Sequence, residues 1–221
     1  MSDRAAAPPI GDEIRGRLTQ EPADADLHVA CAQCALQAGR PDIAKARLLR
    51  ALSISQLSAP LHANLAILSG APQARRAMRR ALALAPAAFP FHANLSAMTA
   101  FTADRRVLHG RRALAIDACD PRATLNLALA LNEADGIGEA IAILQSATQT
   151  YPRSVDLRFT LGGFLVDVGE TTRAWRELRC AAALAPRDAG VWLRMARIAS
   201  DRKSTRLNSS HTDISRMPSS A

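Results

Sequence analysis

The sequence predicts an all-α fold, a right-handed solenoid of antiparallel helix pairs, and three observations predict it. Hydrophobic residues make up 48% of the 221 residues while aromatic residues make up only 4%, and alanine, whose small volume requires closely approaching helices, supplies much of the hydrophobic fraction. Val, Ile, Thr and Tyr nowhere alternate with polar residues at the period of two that a half-buried strand needs. Finally, a phrase of small, apolar and turn-forming residues recurs along the chain in nearly constant phase, the mark of a stacked repeat.

The phrase is most complete at Gly169, Ala174, Leu178, Ala181 and Pro186. Gly39, Ala44, Leu48 and Ala51 repeat it with Gln56 in place of the proline, Ala140, Leu144, Ala147 and Pro152 repeat it after the turn DGIG, and Ala74, Met78, Ala81 and Pro86 give a fourth copy. Upstream of each lies a helix in which a large residue precedes a small one: Leu65-Ala66, Leu95-Ser96, Leu127-Ala128, Leu161-Gly162 and Met195-Ala196. The small residues are expected to let the two helices of a pair touch, while Leu and Met fill the space between pairs. Gly39 and Gly169 are placed to end the first helix in the left-handed conformation, and the prolines to stop the second.

These residues resemble the tetratricopeptide repeat (TPR) family over residues 25–200, with starts at 25, 59, 89, 121, 155 and 189 and steps of 34, 30, 32, 34 and 34. The resemblance implies domains of 25–58, 59–88, 89–120, 121–154, 155–188 and a partial 189–200, preceded by residues 1–24 with a short capping helix from Asp12 to Gln20. The second and third repeats are shorter than the family length, the second at its inter-helix turn LSGAPQ.

From Asp201 the texture changes to DRKSTRLNSSHTDISRMPSSA, with no apolar period. Its two pieces DRKSTRLNSSH and SRMPSSA match the translation of a short-read sequencing adapter in one frame. The expectation is an artefactual, disordered tail at 201–221, with the gene continuing past Ser200. Without it the net charge falls from +8 to +6. The heavy use of Arg and Ala suggests a GC-rich bacterial genome.

No run reaches the roughly 18 apolar residues of a membrane span and the N-terminus has no secretory h-region. A cytoplasmic location and no membrane partner are therefore expected. Cys31, Cys34, Cys119 and Cys180 do not form a disulfide framework, and the CxxC at Cys31 and Cys34 lies in a helical pattern with no second ligand pair, so no metal or other cofactor is expected. His28, His62 and His92 share one repeat position, too far apart for a common ion, and are expected to be packing residues. GxSxG, HExxH and P-loop motifs are absent, so a catalytic domain is expected only beyond Ser200. Arg75, Arg76, Arg79 and Arg80, continued by Arg105, Arg106, Arg111 and Arg112, form a basic outer face; without interleaved aromatics it argues against nucleic acid.

In TPR arrays the first helices line the concave groove where ligands lie. Carried over by phase, the resemblance implies groove residues Gln33, Asn64, Asn94, Phe101, Asn126, Leu129, Phe159, Thr160 and Arg194, with Val29, Ile67 and Gly163 beside them. Asn64, Asn94 and Asn126 share one position in three successive repeats, and a row of amides can hold a peptide backbone. The phrases HANLA and HANLS resemble repeats of bacterial O-GlcNAc-transferase-like or SPINDLY proteins, although Asn is also simply the family consensus there. The expected function is a scaffold that binds a protein or peptide; the alternative is the substrate-recruiting front of a larger enzyme, most plausibly a glycosyltransferase.

Overall fold

The computed structural model describes residues 10–200, so the expected tail at 201–221 lies outside the described residues. These residues form α1 (Ile10–Gln20), α2 (Ala25–Gln37), α3 (Pro41–Ile54), α4 (Ala59–Ile67), α5 (Ala71–Leu84), α6 (Phe89–Ala97), α7 (Ala103–Ile116), α8 (Pro121–Glu133), α9 (Ile137–Thr150), α10 (Val155–Asp167) and α11 (Thr171–Leu184). A further helix, α12, spans 189–200, and no strand occurs among the described residues. The chain divides into two compact units, one ending at Ala118 and one beginning at Cys119. The first holds α1 to α7, the second α8 to α12. None of the described helices is long and apolar enough to cross a membrane.

Each pair is held by small residues facing one another. Ala32, Ala66, Ala128 and Gly162 on the first helices are buried, and so are Ala44, Ala74, Ala140 and Ala174 on the second. Gly162 shows how tight the contact is. A Cβ there would stand 2.7 Å from Leu178 Cγ, inside any real carbon-carbon contact. Leu48, Met78, Leu144 and Leu178 lie one helical turn further along the second helices and are fully buried.

The first helices end in two ways. After α2 and α10, Gly39 and Gly169 adopt φ of 68° and 80°. Arg40 N donates to Ala35 O and Glu170 N to Leu165 O, both at 2.8 Å, closing the six-residue ring of a Schellman cap. After α8, where the sequence reads ADGIG, the left-handed residue is Asp135 (φ 59°) rather than the glycine that follows it; Gly136 N donates to Leu131 O at 2.8 Å. The shorter α4 and α6, nine residues each, have no such residue.

The prolines after the second helices do more than stop them. Pro22, Pro86, Pro152 and Pro186 each occupy the second position of a β-turn closed by Asp24 N to Glu21 O (3.2 Å), Ala88 N to Ala85 O (3.3 Å), Ser154 N to Tyr151 O (3.1 Å) and Asp188 N to Ala185 O (3.1 Å). Gln56 holds that place in a fifth turn. The carbonyl of this residue is then captured from the fourth position of the next helix: His28, His62 and His92 donate through Nε2 to Pro22, Gln56 and Pro86 at 3.1, 3.0 and 2.8 Å. Arg158 Nε and Trp192 Nε1 do the same to Pro152 and Pro186 at 2.8 and 2.9 Å. The histidines expected to be packing residues are buried, and they are also these donors.

The pair α6–α7 departs from the rule. Arg106 stands where the other second helices have Ala44, Ala74, Ala140 and Ala174, and it is only 3% exposed. Its Nε donates to Ser96 O at 2.8 Å. Four residues later, where the others carry Leu or Met, the chain has Gly110, so the bulk has moved by one turn toward the start of the helix.

Two predictions follow from this packing. Gly162→Ala is expected to cost about 1–3 kcal/mol in chemical denaturation through overpacking, whereas Gly138→Ala, where a Cβ meets nothing within 4 Å, is expected to be neutral or stabilising by up to ~1 kcal/mol. Arg106→Ala and Gly110→Leu are each expected to destabilise by roughly 1–3 kcal/mol. Their combination restores the pattern of the other pairs, so a double-mutant cycle should give a loss well below the sum.

Candidate functional site

In the first unit, α2 and α4 leave a concavity of about 140 Å³ between them. Val29, Gln33 and Leu36 line it from α2, Asn64 and Ile67 from α4, with Leu48 at the floor. Gln33 and Asn64 are exposed, and so are the apolar side chains of Leu36 (44%) and Ile67 (54%). The arrangement joins an aliphatic wall to two amides, each offering a donor and an acceptor. Gln33 and Asn64, expected on phase alone, are thus brought to one place. Leu36 was missed; an apolar residue three positions after Gln33 was the available signal.

Asn94 takes the same place in α6 as Asn64 in α4 and is half-buried. Phe101 is a correction: α6 ends at Ala97, the ring lies beyond it, and at 7% exposed it packs in the core with Leu95, Met78 and Phe91. The assignment failed because it extended the helix through a truncated repeat. Phe101 is removed from the candidate site.

In the second unit, Asn126 and Leu129 lie on α8, the first half-buried and the second 38% exposed. Phe159 and Thr160 are half-buried on α10. Arg194, from α12, lays its guanidinium over the Phe159 ring with Cζ 4.3 Å from the centroid, and Nη1 donates to Phe159 O at 3.4 Å. Gly163 makes this possible, since a Cβ there would fall 2.0 Å from Arg194 Nη1. The cation-π contact holds a positive charge at this site. A larger concavity, about 520 Å³, opens between α9 and α11. Two of its guanidinium groups are already neutralised, Arg158 by Glu177 at 2.7 Å and Arg173 by Glu170.

Sequence reading also missed a histidine pair. His92 and His109 stack at 5.0 Å between centroids and meet Nδ1 to Nδ1 at 2.8 Å. Because His92 Nε2 must carry a hydrogen to reach the Pro86 carbonyl, only one further hydrogen fits between the two rings. Burial pushes His109 down to about 4, helped by His92, Arg112 and Arg105. The unfolded chain therefore binds a proton between pH 6.5 and 4 that the folded one refuses, and stability falls as pH falls through that window. His109→Gln is expected to flatten the pH dependence of the denaturation midpoint between pH 6.5 and 4.

Among the described residues no group of three or more His, Cys, Asp or Glu is placed to hold a metal. Cys31, Cys34, Cys119 and Cys180 are free thiols.

No protein-family model matches the chain, and no curated protein matches its sequence. Solved structures do match in shape. A chain of the APC/C hetero-tetramer Cut9–Hcn1 superposes with a TM-score of 0.72 at 13% identity, over 85% of this chain and 38% of that one. This protein thus spans little more than a third of that chain. Pseudomonas aeruginosa pilF gives 0.68 at 20% identity over 87% and 90% of the two chains. YrrB, described as a TPR protein with an unusual peptide-binding site, gives 0.58 at 15% identity over 85% and 97%. These likenesses show the fold: an all-α helical repeat of the tetratricopeptide type.

Proposed function

We propose that this chain is a protein-interaction scaffold whose first helices bind an extended peptide. The observation that carries the reading is the concavity between α2 and α4, where Gln33 and Asn64 border an exposed aliphatic wall. Its volume of about 140 Å³ suits one branched aliphatic side chain of a ligand. The two amides, each with both a donor and an acceptor, suit the N–H and C=O groups of the peptide on either side of that residue. The peptide-binding described for YrrB, which shares the fold, is consistent with this use. The second unit, taken by itself, offers a different feature for a ligand, the positive charge of Arg194 held over Phe159.

The probe is a peptide selected on the wild-type protein from a random display library, with affinity read by fluorescence anisotropy. Loss of one backbone hydrogen bond costs about 1–1.5 kcal/mol, so Gln33→Ala and Asn64→Ala are each expected to weaken binding roughly five- to tenfold. Ile67→Asp, which places a charge on the aliphatic wall, is expected to abolish it. Unchanged affinity in all three variants would remove α2 and α4 as the binding site.

A further inference from the structure

The positive charge of this protein is segregated. Residues 1–70 carry equal numbers of acidic and basic side chains, and so do residues 119–200. Between 71 and 116 there are eight arginines and a single acidic residue, Asp104. Nearly all the excess charge of the described chain therefore lies on α5 and α7, the second helices of two consecutive pairs in the first unit. Arg106 is buried, but the other seven arginines are exposed.

These cations stand in stripes with aliphatic residues. On α5, Arg76, Arg80 and Leu84 follow one another at intervals of four, and on α7, Arg105, Leu108, Arg112 and Ile116 follow at three, four and four, so each set shares one helix face. Leu84, Leu108 and Ile116 are 37%, 49% and 49% exposed. No acidic residue lies on α5 to neutralise its four arginines. On α7, the charges of Arg112 and Arg105 reach His109 and help to lower its pKa, after burial and His92.

Three kinds of anionic surface could answer such a face. An acidic protein would meet the arginines, which are themselves common at protein interfaces, but α5 and α7 contain no Phe, Tyr or Trp to supply the aromatic anchors that accompany them there. Nucleic acid would satisfy the guanidinium groups through its phosphates but offers a phosphate backbone nothing to gain from exposed Leu108 and Ile116. An anionic lipid surface uses both features: the charges meet the headgroups while the aliphatic side chains enter the boundary beneath them. We infer that the outer faces of α5 and α7 form a docking surface for a membrane rich in anionic lipid, with Arg76, Arg80, Arg105 and Arg112 supplying attraction and Leu108 and Ile116 supplying insertion. The expectation of no membrane partner rested on the absence of a spanning segment, which does not bear on adsorption at a surface.

The experiment is co-sedimentation of the full chain with vesicles, in near-physiological salt, using phosphatidylcholine alone or with about a third phosphatidylserine, alongside binding to a short DNA duplex. Binding is expected only to the vesicles containing phosphatidylserine, and severalfold higher salt should release it. Each arginine is worth roughly fivefold in partitioning, so the variant carrying Gln at 76, 80, 105 and 112 is expected to lose on the order of a hundredfold or more. Leu108→Ser with Ile116→Ser should lower vesicle binding severalfold and leave any DNA binding unchanged. Circular dichroism checks that both variants retain their helices, and the salt dependence of the unmodified protein tests the charge contribution if either does not. No binding to the anionic vesicles, or binding that neither salt nor the arginine variant reduces, overturns the inference. Vesicle binding indifferent to Leu108 and Ile116, with DNA bound as tightly, overturns the assignment to lipid and leaves a general polyanion surface.

Discussion

The fold rests on how closely the two helices of a pair approach. At Gly162 there is no room for a single methyl group against Leu178, and Ala32, Ala66, Ser96 and Ala128 at the matching places of the other pairs are buried. A contact that close hides little apolar area by itself, because a methyl group or a hydrogen is all that each helix contributes. Most of the hydrophobic stabilisation must come from Leu and Met one turn away, which fill the space left by that approach. The first helices are consequently covered on much of their circumference: α10 buries Leu157, Leu161, Gly162, Gly163, Phe164 and Leu165. What remains outward on such a helix is a narrow strip, and that strip is where Gln33, Leu36 and Asn64 stand.

The third pair shows that the constraint acts on volume rather than on residue identity. Exchanging the small residue of α7 for Arg106 is tolerable because Gly110, one turn later, gives up the volume of a Leu or Met. A buried guanidinium also needs hydrogen-bond partners, and the Ser96 carbonyl, in the last turn of a helix that ends at Ala97, supplies one at 2.8 Å. The truncation of α6 thus has a use: it exposes a helix-end carbonyl that a full-length helix would bond internally. The arrangement leaves the Ser96 hydroxyl buried without a partner, a cost tolerated within the same exchange.

The period, the helix starts and the glycine caps were legible in the sequence because each depends on one residue type at a fixed place. Gly39 and Gly169 are left-handed, as expected, and the prolines lie after the second helices. What could not be read was compensation between residues. The third repeat hides its phrase because Arg106 and Gly110 replace Ala and Leu together, and Phe101 was misplaced because helix truncation leaves no mark as plain as a glycine. The left-handed residue after α8 is Asp135, although Gly136 stands next to it, since the cap is fixed by counting from the helix end. The turn carbonyls were equally invisible: His, Arg and Trp do the same work at the fourth position, sharing only an N–H at the right reach. Of the candidate site, the amide positions on α2 and α4 came from phase, but their meeting with Leu36 required coordinates.

The two surfaces inferred for the first unit draw on separate elements. The concavity uses outward residues of α2 and α4, in a stretch of zero net charge; the basic stripes use the outer faces of α5 and α7. No side chain belongs to both. Ligands at sites that share no residue influence each other only through a conformational equilibrium that both bias, so occupancy of one surface has no direct contact through which to alter the other. Arg75, one residue before the α5 stripe and outside it, donates to Ala100 O in the turn joining α6 to α7 at 3.0 Å, so one of its donors is already engaged within the fold.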